Sequence, residues 1–160
     1  MPELVLVSRS PEETRGFGRR VGGAIDGRGI VFLEGELGSG KTHFTKGLYG
    51  GQGGADEDIV VSPSYQIIHR YDGARRPFYH VDLYRLEDPR HLLGLEYEDF
   101  LFLNPGLTAV EWPRDAAELL GADEILEVRF EYGDDESERR LRLRAEGDRY
   151  ARVFEELSAR

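Results

Sequence analysis

The chain is 160 residues long, which suits a single domain over residues 1–160 with one substantial hydrophobic core. Its 31 acidic and 21 basic residues give a formal charge of −10, which opposes direct binding to DNA or RNA because Lys and Arg supply most of that affinity. The sequence has no cysteine, which excludes disulfides, thiol nucleophiles and cysteine-ligated zinc. It shows neither a leader nor a membrane-spanning apolar run, so we expect a cytoplasmic protein without a membrane partner.

The first third of the chain predicts a strand, a helix and a second strand. Residues 4–7 form a short apolar run, and Ser10-Pro11 followed by two acids is typical of a helix start, so a helix is predicted to about residue 25. Residues 30–33 are continuously apolar, as in strands buried on both faces of a parallel sheet. This pattern favours an α/β fold.

The middle of the chain predicts a helix and an antiparallel pair of strands. A helix is predicted over residues 42–49, and the glycine-rich residues 50–54 are expected to end it and to lack order. β-forming residues dominate 65–71 and 78–83, and Asp72-Gly73 between them indicates a hairpin turn.

The last part of the chain predicts two more stretches of sheet and a helix. A short helix is expected after Pro89, residues 95–103 resist assignment, and residues 108–110 suit a buried strand. Apolar and charged residues then alternate over 126–132 and 140–144, around a turn at Gly133-Asp134-Asp135, and so predict a half-exposed hairpin. A final helix is expected from about Asp148.

Residues 35–42, GELGSGKT, match the phosphate-binding pattern G-x-x-x-x-G-K-[ST] in full, between a predicted strand and a predicted helix. Glycines allow the backbone N–H groups to approach the phosphates, Lys41 reaches the β and γ phosphates, and Thr42 offers its hydroxyl to Mg²⁺. The alternative, a plain glycine-rich connection, does not require this spacing. The predicted nucleotide-binding residues of the loop are Gly38, Ser39, Gly40, Lys41 and Thr42.

The sequence favours ATP over GTP as the nucleotide. Guanine-specific families usually carry an N-K-x-D segment, and the two lysines of this chain, Lys41 and Lys46, leave no place for one.

Two acids at predicted strand ends could complete a hydrolytic site. Asp82 and Glu111 each follow β-forming residues, and hydrolysis needs one acid for Mg²⁺ and one group to orient water. If residues 78–84 are extended, His80, Asp82 and Tyr84 share one face. The residues alone leave open whether each acid is catalytic or an ordinary strand-end charge, and His80 alone suits a structural role.

A loop after the glycines could sense the γ-phosphate. The hydroxyls of Ser62 and Ser64 suit a switch-like segment, although an ordinary turn into a strand explains them as well. Arg85 could stabilise charge, but it is one of many arginines.

Four segments together resemble the TsaE (YjeE) family: GELGSGKT at 35–42, SPSY at 62–65, HVDLYRL at 80–86 and VEWP at 110–113. The resemblance covers most of the chain and weakens after about residue 120. It implies a P-loop NTPase-like, three-layer α/β sandwich with a mixed, partly antiparallel central sheet between helices.

The resemblance also implies a function. TsaE-like proteins are ATPases required for threonylcarbamoylation of adenosine 37 in tRNA, and they act with TsaB-like and TsaD-like proteins, so this chain would meet tRNA only through the complex. By position, Asp82 and Glu111 would be catalytic and would bind Mg²⁺ together with Thr42, and Trp112 would lie beside the nucleotide. The family usually has threonine where this chain has Ser64, which puts the order of the switch loop in doubt more than metal binding.

Two other classes stay open at this point. A small-molecule kinase would need an arginine-bearing lid, for which Arg75-Arg76 is the visible candidate. A nucleotide-dependent interaction module would bind ATP without hydrolysing it.

Overall fold

The computed structural model describes residues 2–36, 38–62, 68–83, 103–113 and 122–159. These residues form one mixed seven-stranded sheet with three α-helices, which confirms the predicted α/β class. The strands are β1 (Glu3–Ser8), β2 (Gly29–Glu34), β3 (Ile68–Tyr71), β4 (Phe78–Asp82), β5 (Leu107–Glu111), β6 (Ile125–Tyr132) and β7 (Arg139–Ala145). The helices are α1 (Pro11–Ala24), α2 (Lys41–Gly51) and α3 (Ala151–Ser158), with 3₁₀ turns at Glu57–Ile59 and Ala122–Glu124.

The strand order is β1-β7-β6-β2-β5-β4-β3. The pairs β6–β2, β2–β5 and β5–β4 are parallel. The pairs β1–β7, β7–β6 and β3–β4 are antiparallel. Because β1 and β6 are both antiparallel to β7, β1 points the same way as β6 and β2. Five strands therefore end at one edge of the sheet.

The core follows the apolar patterns of the sequence. In β2, Ile30, Val31, Phe32 and Leu33 are buried, as expected for a strand covered on both faces. Strands β6 and β7 alternate between buried and exposed positions, which confirms the half-exposed hairpin. Tyr150, which precedes α3, lies in the core, and its hydroxyl accepts from the Ile30 amide (2.9 Å) and donates to the Glu124 carbonyl (2.6 Å).

Helices α1 and α2 pack with their backbones in contact. A Cβ added at Gly18 or Gly22 of α1 would come within 3.0 Å of an α2 backbone carbonyl, and one added at Gly47 or Gly51 of α2 would do the same against α1. Within each helix the two glycines are four residues apart and so lie on one face. The helices therefore approach more closely than any larger side chains would allow.

This packing corrects the prediction that residues 50–54 lack order. Helix α2 continues through Gly51, and the amides of Gln52, Gly53 and Gly54 donate to carbonyls at its end. The buried Gln52 side chain also donates to the carbonyls of Gly22 (2.6 Å) and Ile25 (2.9 Å). Glycine here allows close approach between helices, a use that local propensity does not reveal.

Other boundaries differ by smaller amounts. The connection between β3 and β4 spans residues 72–77, so it is longer than the tight turn predicted at Asp72-Gly73, and the final helix begins at Ala151 instead of Asp148. The helix expected after Pro89 and most of residues 95–103 lie outside the described residues. Among the described parts of the chain, no helix combines the length and apolar character that crossing a bilayer requires.

Candidate nucleotide site

A cavity of about 570 Å³ opens at the edge where the five strands end. Its walls come from five places: the phosphate loop after β2, the acids that end β4 and β5, the start of α1 after β1, the connection between β6 and β7, and Ser62 before β3. Ligands of α/β proteins bind at the carboxyl ends of parallel strands. Strand direction thus explains why segments from distant parts of the sequence meet here.

The phosphate loop has the backbone that its glycines permit. Gly38 and Gly40 have φ of 79° and 107°, which side-chain-bearing residues rarely adopt. Thr14 of α1 packs beside Gly40, where an added Cβ would lie 3.4 Å from the Thr14 Cγ2. The described part of the loop is held between β6 and α1.

The first turn of α2 has features that favour binding of an anion. Its N-cap is Gly40, which provides no side-chain hydrogen bond, and the turn contains no acidic residue. Helix α1 is the opposite case, since the Ser10 hydroxyl accepts from the Glu13 amide and two acids follow the cap. Uncapped N–H groups and the positive end of the helix dipole together favour a phosphate at α2.

Lys41 is buried at the bottom of the cavity. Its Nζ donates to the Gly35 carbonyl at 2.6 Å and lies 3.8 Å from the centre of the Trp112 ring. Burial lowers the pKa of Lys41 from its ordinary value, while the charges of Glu111 and Asp82 oppose this shift. The ammonium is therefore close to both acids and is positioned by a carbonyl and an aromatic face.

Trp112 has an unusual backbone. Its φ of 53° makes it the one described non-glycine residue with positive φ, and its amide donates to the Leu33 carbonyl at 3.2 Å. A bulky residue in this conformation is strained, and such strain concentrates at functional sites. Here the turn carries the indole to the cavity wall, over Lys41.

Asp82 and Glu111 are side by side. They are register partners at the ends of the parallel strands β4 and β5, and both line the cavity. His80 is fully buried, and its Nε2 makes a short hydrogen bond to Glu111 Oε2. The His80 Nδ1 is buried without a hydrogen-bond partner among the described residues. His80 thus holds one oxygen of Glu111.

The oxygen groups that face the cavity suit Mg²⁺. The ion prefers hard oxygen ligands and in nucleotide sites is usually bound through one or two carboxylates, water and substrate phosphates. Thr42, Asp82 and Glu111 supply one hydroxyl and two carboxylates on the same cavity. No group of three or more acids and histidines able to hold a metal ion occurs among the described residues.

The other residues predicted for the site have different outcomes. Ser62 lines the cavity, whereas Ser64, Tyr84 and Arg85 lie outside the described residues. Arg75 and Arg76, the candidate lid of a small-molecule kinase, do not line the cavity. The Arg75 guanidinium and amide donate to carbonyls at the end of α2, and Arg76 forms an ion pair with Asp26.

Two walls of the cavity could not be predicted from the sequence. Ser10 and Pro11 were interpreted as helix-start residues alone, and Thr14 was not singled out. The connection after β6, with Glu136 and Ser137, and Arg139 at the start of β7 were assigned to a surface hairpin. The strand order brings the start of α1 and the β6–β7 connection to the phosphate loop. Local sequence patterns do not reveal this approach.

Comparison with known proteins shows which family this chain resembles. Residues 8–141 match the model of the family described as threonylcarbamoyl adenosine biosynthesis protein TsaE. The chain is similar to the tRNA threonylcarbamoyladenosine biosynthesis protein TsaE of Bacillus subtilis (strain 168), with 38% identity over 158 residues, 99% of this chain and 96% of that protein. The corresponding protein of Nostoc sp. is 36% identical over 115 residues, 70% of this chain and 68% of that protein. The crystal structure of Bacillus subtilis YdiB is similar in fold, with a TM-score of 0.77, 30% identity, and coverage of 98% of this chain and 95% of that chain.

Proposed function

This chain belongs to the TsaE family of tRNA threonylcarbamoyladenosine biosynthesis proteins, and from that premise we propose that it is the component that binds and hydrolyses ATP. One observation carries the proposal. A single cavity joins an uncapped helix start, a buried lysine and a pair of adjacent carboxylates. This is the set of groups that phosphoryl transfer to water requires.

Each group has a distinct task in the proposal. The N–H groups at the start of α2 and the Lys41 ammonium bind the phosphates, for which Lys41 exchanges the Gly35 carbonyl for phosphate oxygen. Thr42 and Asp82 would hold Mg²⁺, which when bound neutralises charge on the β and γ phosphates. Trp112 keeps water away from the Lys41 ammonium.

Glu111 orients the attacking water. His80 occupies Oε2 of Glu111, so the carboxylate is fixed in rotation and Oε1 remains to accept a hydrogen bond from water. The burial of both side chains limits their movement. His80 is a positioning residue in this scheme.

The remaining parts of the proposal concern partners. TsaB-like and TsaD-like proteins transfer the threonylcarbamoyl group, and this chain supports their turnover in the cytoplasm through ATP hydrolysis. The net charge of −10 supports contact with tRNA through the complex over direct binding.

The test is a steady-state ATPase assay with and without TsaB-like and TsaD-like proteins. We expect slow hydrolysis by the chain alone, stimulation by the partners, and loss of both in Lys41→Ala. Lys46→Ala is the matched control, because the Lys46 ammonium donates to the carbonyls of Val60 and Asp58 and does not line the cavity. Vigorous hydrolysis that the partners leave unchanged would contradict the proposed dependence on them.

Binding can be measured separately from hydrolysis. Trp112 is the single tryptophan of the chain and lies against Lys41, so Mg·ATP should change its fluorescence and Lys41→Ala should abolish that change. Calorimetry that detects no ATP binding by the folded wild-type protein would reject the nucleotide site itself.

An interaction module without hydrolysis makes the opposite prediction at one residue. If binding alone sufficed, Glu111→Gln would support tRNA modification as well as the wild type does. The His80 contact favours hydrolysis, because a nucleotide-sensing site has no need of a fixed carboxylate beside the phosphates.

A further inference from the structure

The cavity has two sides, separated by the phosphate loop. Strands β5 and β4, which carry Glu111 and Asp82, lie on one side of β2. Strands β6, β7 and β1 lie on the other side, and their ends supply the remaining walls. Lysine and threonine of this loop type bind the terminal phosphates and their Mg²⁺. The triphosphate end of ATP therefore lies toward the acids, and the nucleoside lies toward β6 and β7.

The wall on the nucleoside side is fixed by Arg139. Its Nη1 donates to the carbonyls of Glu136 (2.6 Å) and Glu138 (2.9 Å), and its Nη2 to the Gly38 carbonyl (3.4 Å). Hydrogen bonds of a guanidinium lie in its plane. These three contacts therefore orient the plane and leave its two faces for stacking.

One face of this guanidinium is covered by an aromatic ring. The Arg139 Cζ lies 4.4 Å from the centre of the Tyr132 ring, and Tyr132 is itself 48% exposed at the end of β6. Arg139 lines the cavity. The tyrosine supports the guanidinium from behind, and the side chain presents a planar, permanently charged surface to the space beside the phosphate loop.

We propose that Arg139 is the base-recognition residue of this site, and that the adenine of ATP stacks on the guanidinium face opposite Tyr132. The inference rests on the proposed function, since it assigns the nucleoside end of the same site. Arginine planes stack well on bases, and a guanidinium already held by hydrogen bonds loses little conformational entropy when a base arrives. Ser137 and Glu136 line the same wall and offer polar groups to the edge of the base.

The experiment compares Mg·ATP with Mg·tripolyphosphate, which has the phosphates without the nucleoside. Binding of both is measured by calorimetry on the full chain for the wild type, Arg139→Ala, Arg139→Lys and Arg140→Ala. Arg140 is the matched control, because it is the neighbouring arginine of β7 and pairs with Asp134 at 3.3 Å instead of lining the cavity. Both substituted positions lie on the exposed hairpin, so circular dichroism should show unchanged folding.

We expect Arg139→Ala to weaken ATP about tenfold, within the range for loss of one stacked base, and to leave tripolyphosphate unchanged. Arg139→Lys should behave like Arg139→Ala, because lysine keeps the charge and loses the plane, and Arg140→Ala should match the wild type. The inference would be overturned if Arg139→Ala left ATP affinity unchanged, or if Arg139→Lys bound ATP with the affinity of the wild type. It would also be overturned if Arg139→Ala lost equal affinity for ATP and tripolyphosphate, because Arg139 would then act on the phosphate loop.

Failure of this inference differs from failure of the proposed function. If the wild type binds both ligands and Arg139→Ala does so equally well, the nucleotide site stands and only the base assignment is wrong. If the wild type binds neither ligand, the nucleotide site is wrong.

Discussion

Replacing a glycine at the α1–α2 contact with alanine should destabilise the protein, although alanine is the better helix former. A Cβ at Gly18 would lie 3.1 Å from the Gly47 Cα and nearer still to the Phe44 carbonyl oxygen. Both neighbours are backbone atoms of a regular helix and cannot rotate away. The helices must therefore separate by about 1 Å, which disrupts the close packing around them.

The magnitude follows from two opposing terms. Alanine gains about 0.5–1 kcal/mol over glycine inside a helix. Overpacking a tight contact costs about 1–3 kcal/mol, and more where backbone moves. Gly16 isolates the first term, because it lies within α1 and an added Cβ there meets nothing within 4 Å. Gly16→Ala should thus stabilise the protein, and Gly18→Ala should be about 3 kcal/mol less stable than it.

Thermal and urea unfolding of the two variants is the appropriate assay. For a chain of this length, about 3 kcal/mol corresponds to a difference of roughly 6–12 °C in Tm. Gly47→Ala should reproduce the loss from the other helix, because its Cβ would meet the α1 backbone. If Gly18→Ala melted at or above Gly16→Ala, the backbone contact would not be the tight packing described above.

Three further substitutions test other contacts. Tyr150→Phe leaves the amide of Ile30 and the carbonyl of Glu124 without their partner, so urea unfolding at pH 8 should show a loss of about 1–3 kcal/mol. Burial raises the Tyr150 pKa from 10.0 to about 12. The phenol of the unfolded chain therefore ionises first, so the free energy of unfolding falls by up to about 2–3 kcal/mol as the pH rises from 10 to 12. Tyr150→Phe should lack this pH-dependent loss. Gln52→Ala leaves two carbonyls at the end of α1 unpaired and should cost about 2 kcal/mol in the same assay, whereas an unchanged midpoint would show that water replaces the amide. Glu111→Gln should lower ATP hydrolysis at least about a hundredfold while calorimetric ATP affinity stays within a few-fold, and a matching loss of affinity would assign Glu111 to binding instead.

The sequence was informative where a short segment determines its own structure. The phosphate loop requires glycines at fixed spacing because of its own backbone conformation, so residues 35–42 could be assigned from the sequence motif alone. Helix α1 was predicted from its capping residues and β2 from its apolar run. The acids at 82 and 111 were found because they end β-forming runs. Their adjacency depends on β4 pairing with β5, which the sequence does not encode locally.

Features that depend on pairing between distant segments were missed. The composition of residues 50–54 predicted a lack of order, yet Gly51 belongs to α2 and its contact with the α1 backbone leaves no room for a side chain. For His80 the sequence indicated a structural role, which agrees with its burial and hydrogen bond, but the partner Glu111 emerges only when neighbouring strands are aligned. At residues 50–54, tertiary packing outweighs the local propensity on which the prediction depended.

The close packing of the helices also bears on the site. Helix α1 begins at the cavity with Ser10 and Thr14, and α2 begins there with Lys41 and Thr42. Since the two backbones are in contact along the glycines, the distance between these helix starts is fixed by the packing further down. Substitutions such as Gly47→Ala, some distance from the phosphates, should therefore move one wall of the cavity relative to the other. Glycine at these positions therefore bears on the geometry of the cavity as well as on the stability of the fold.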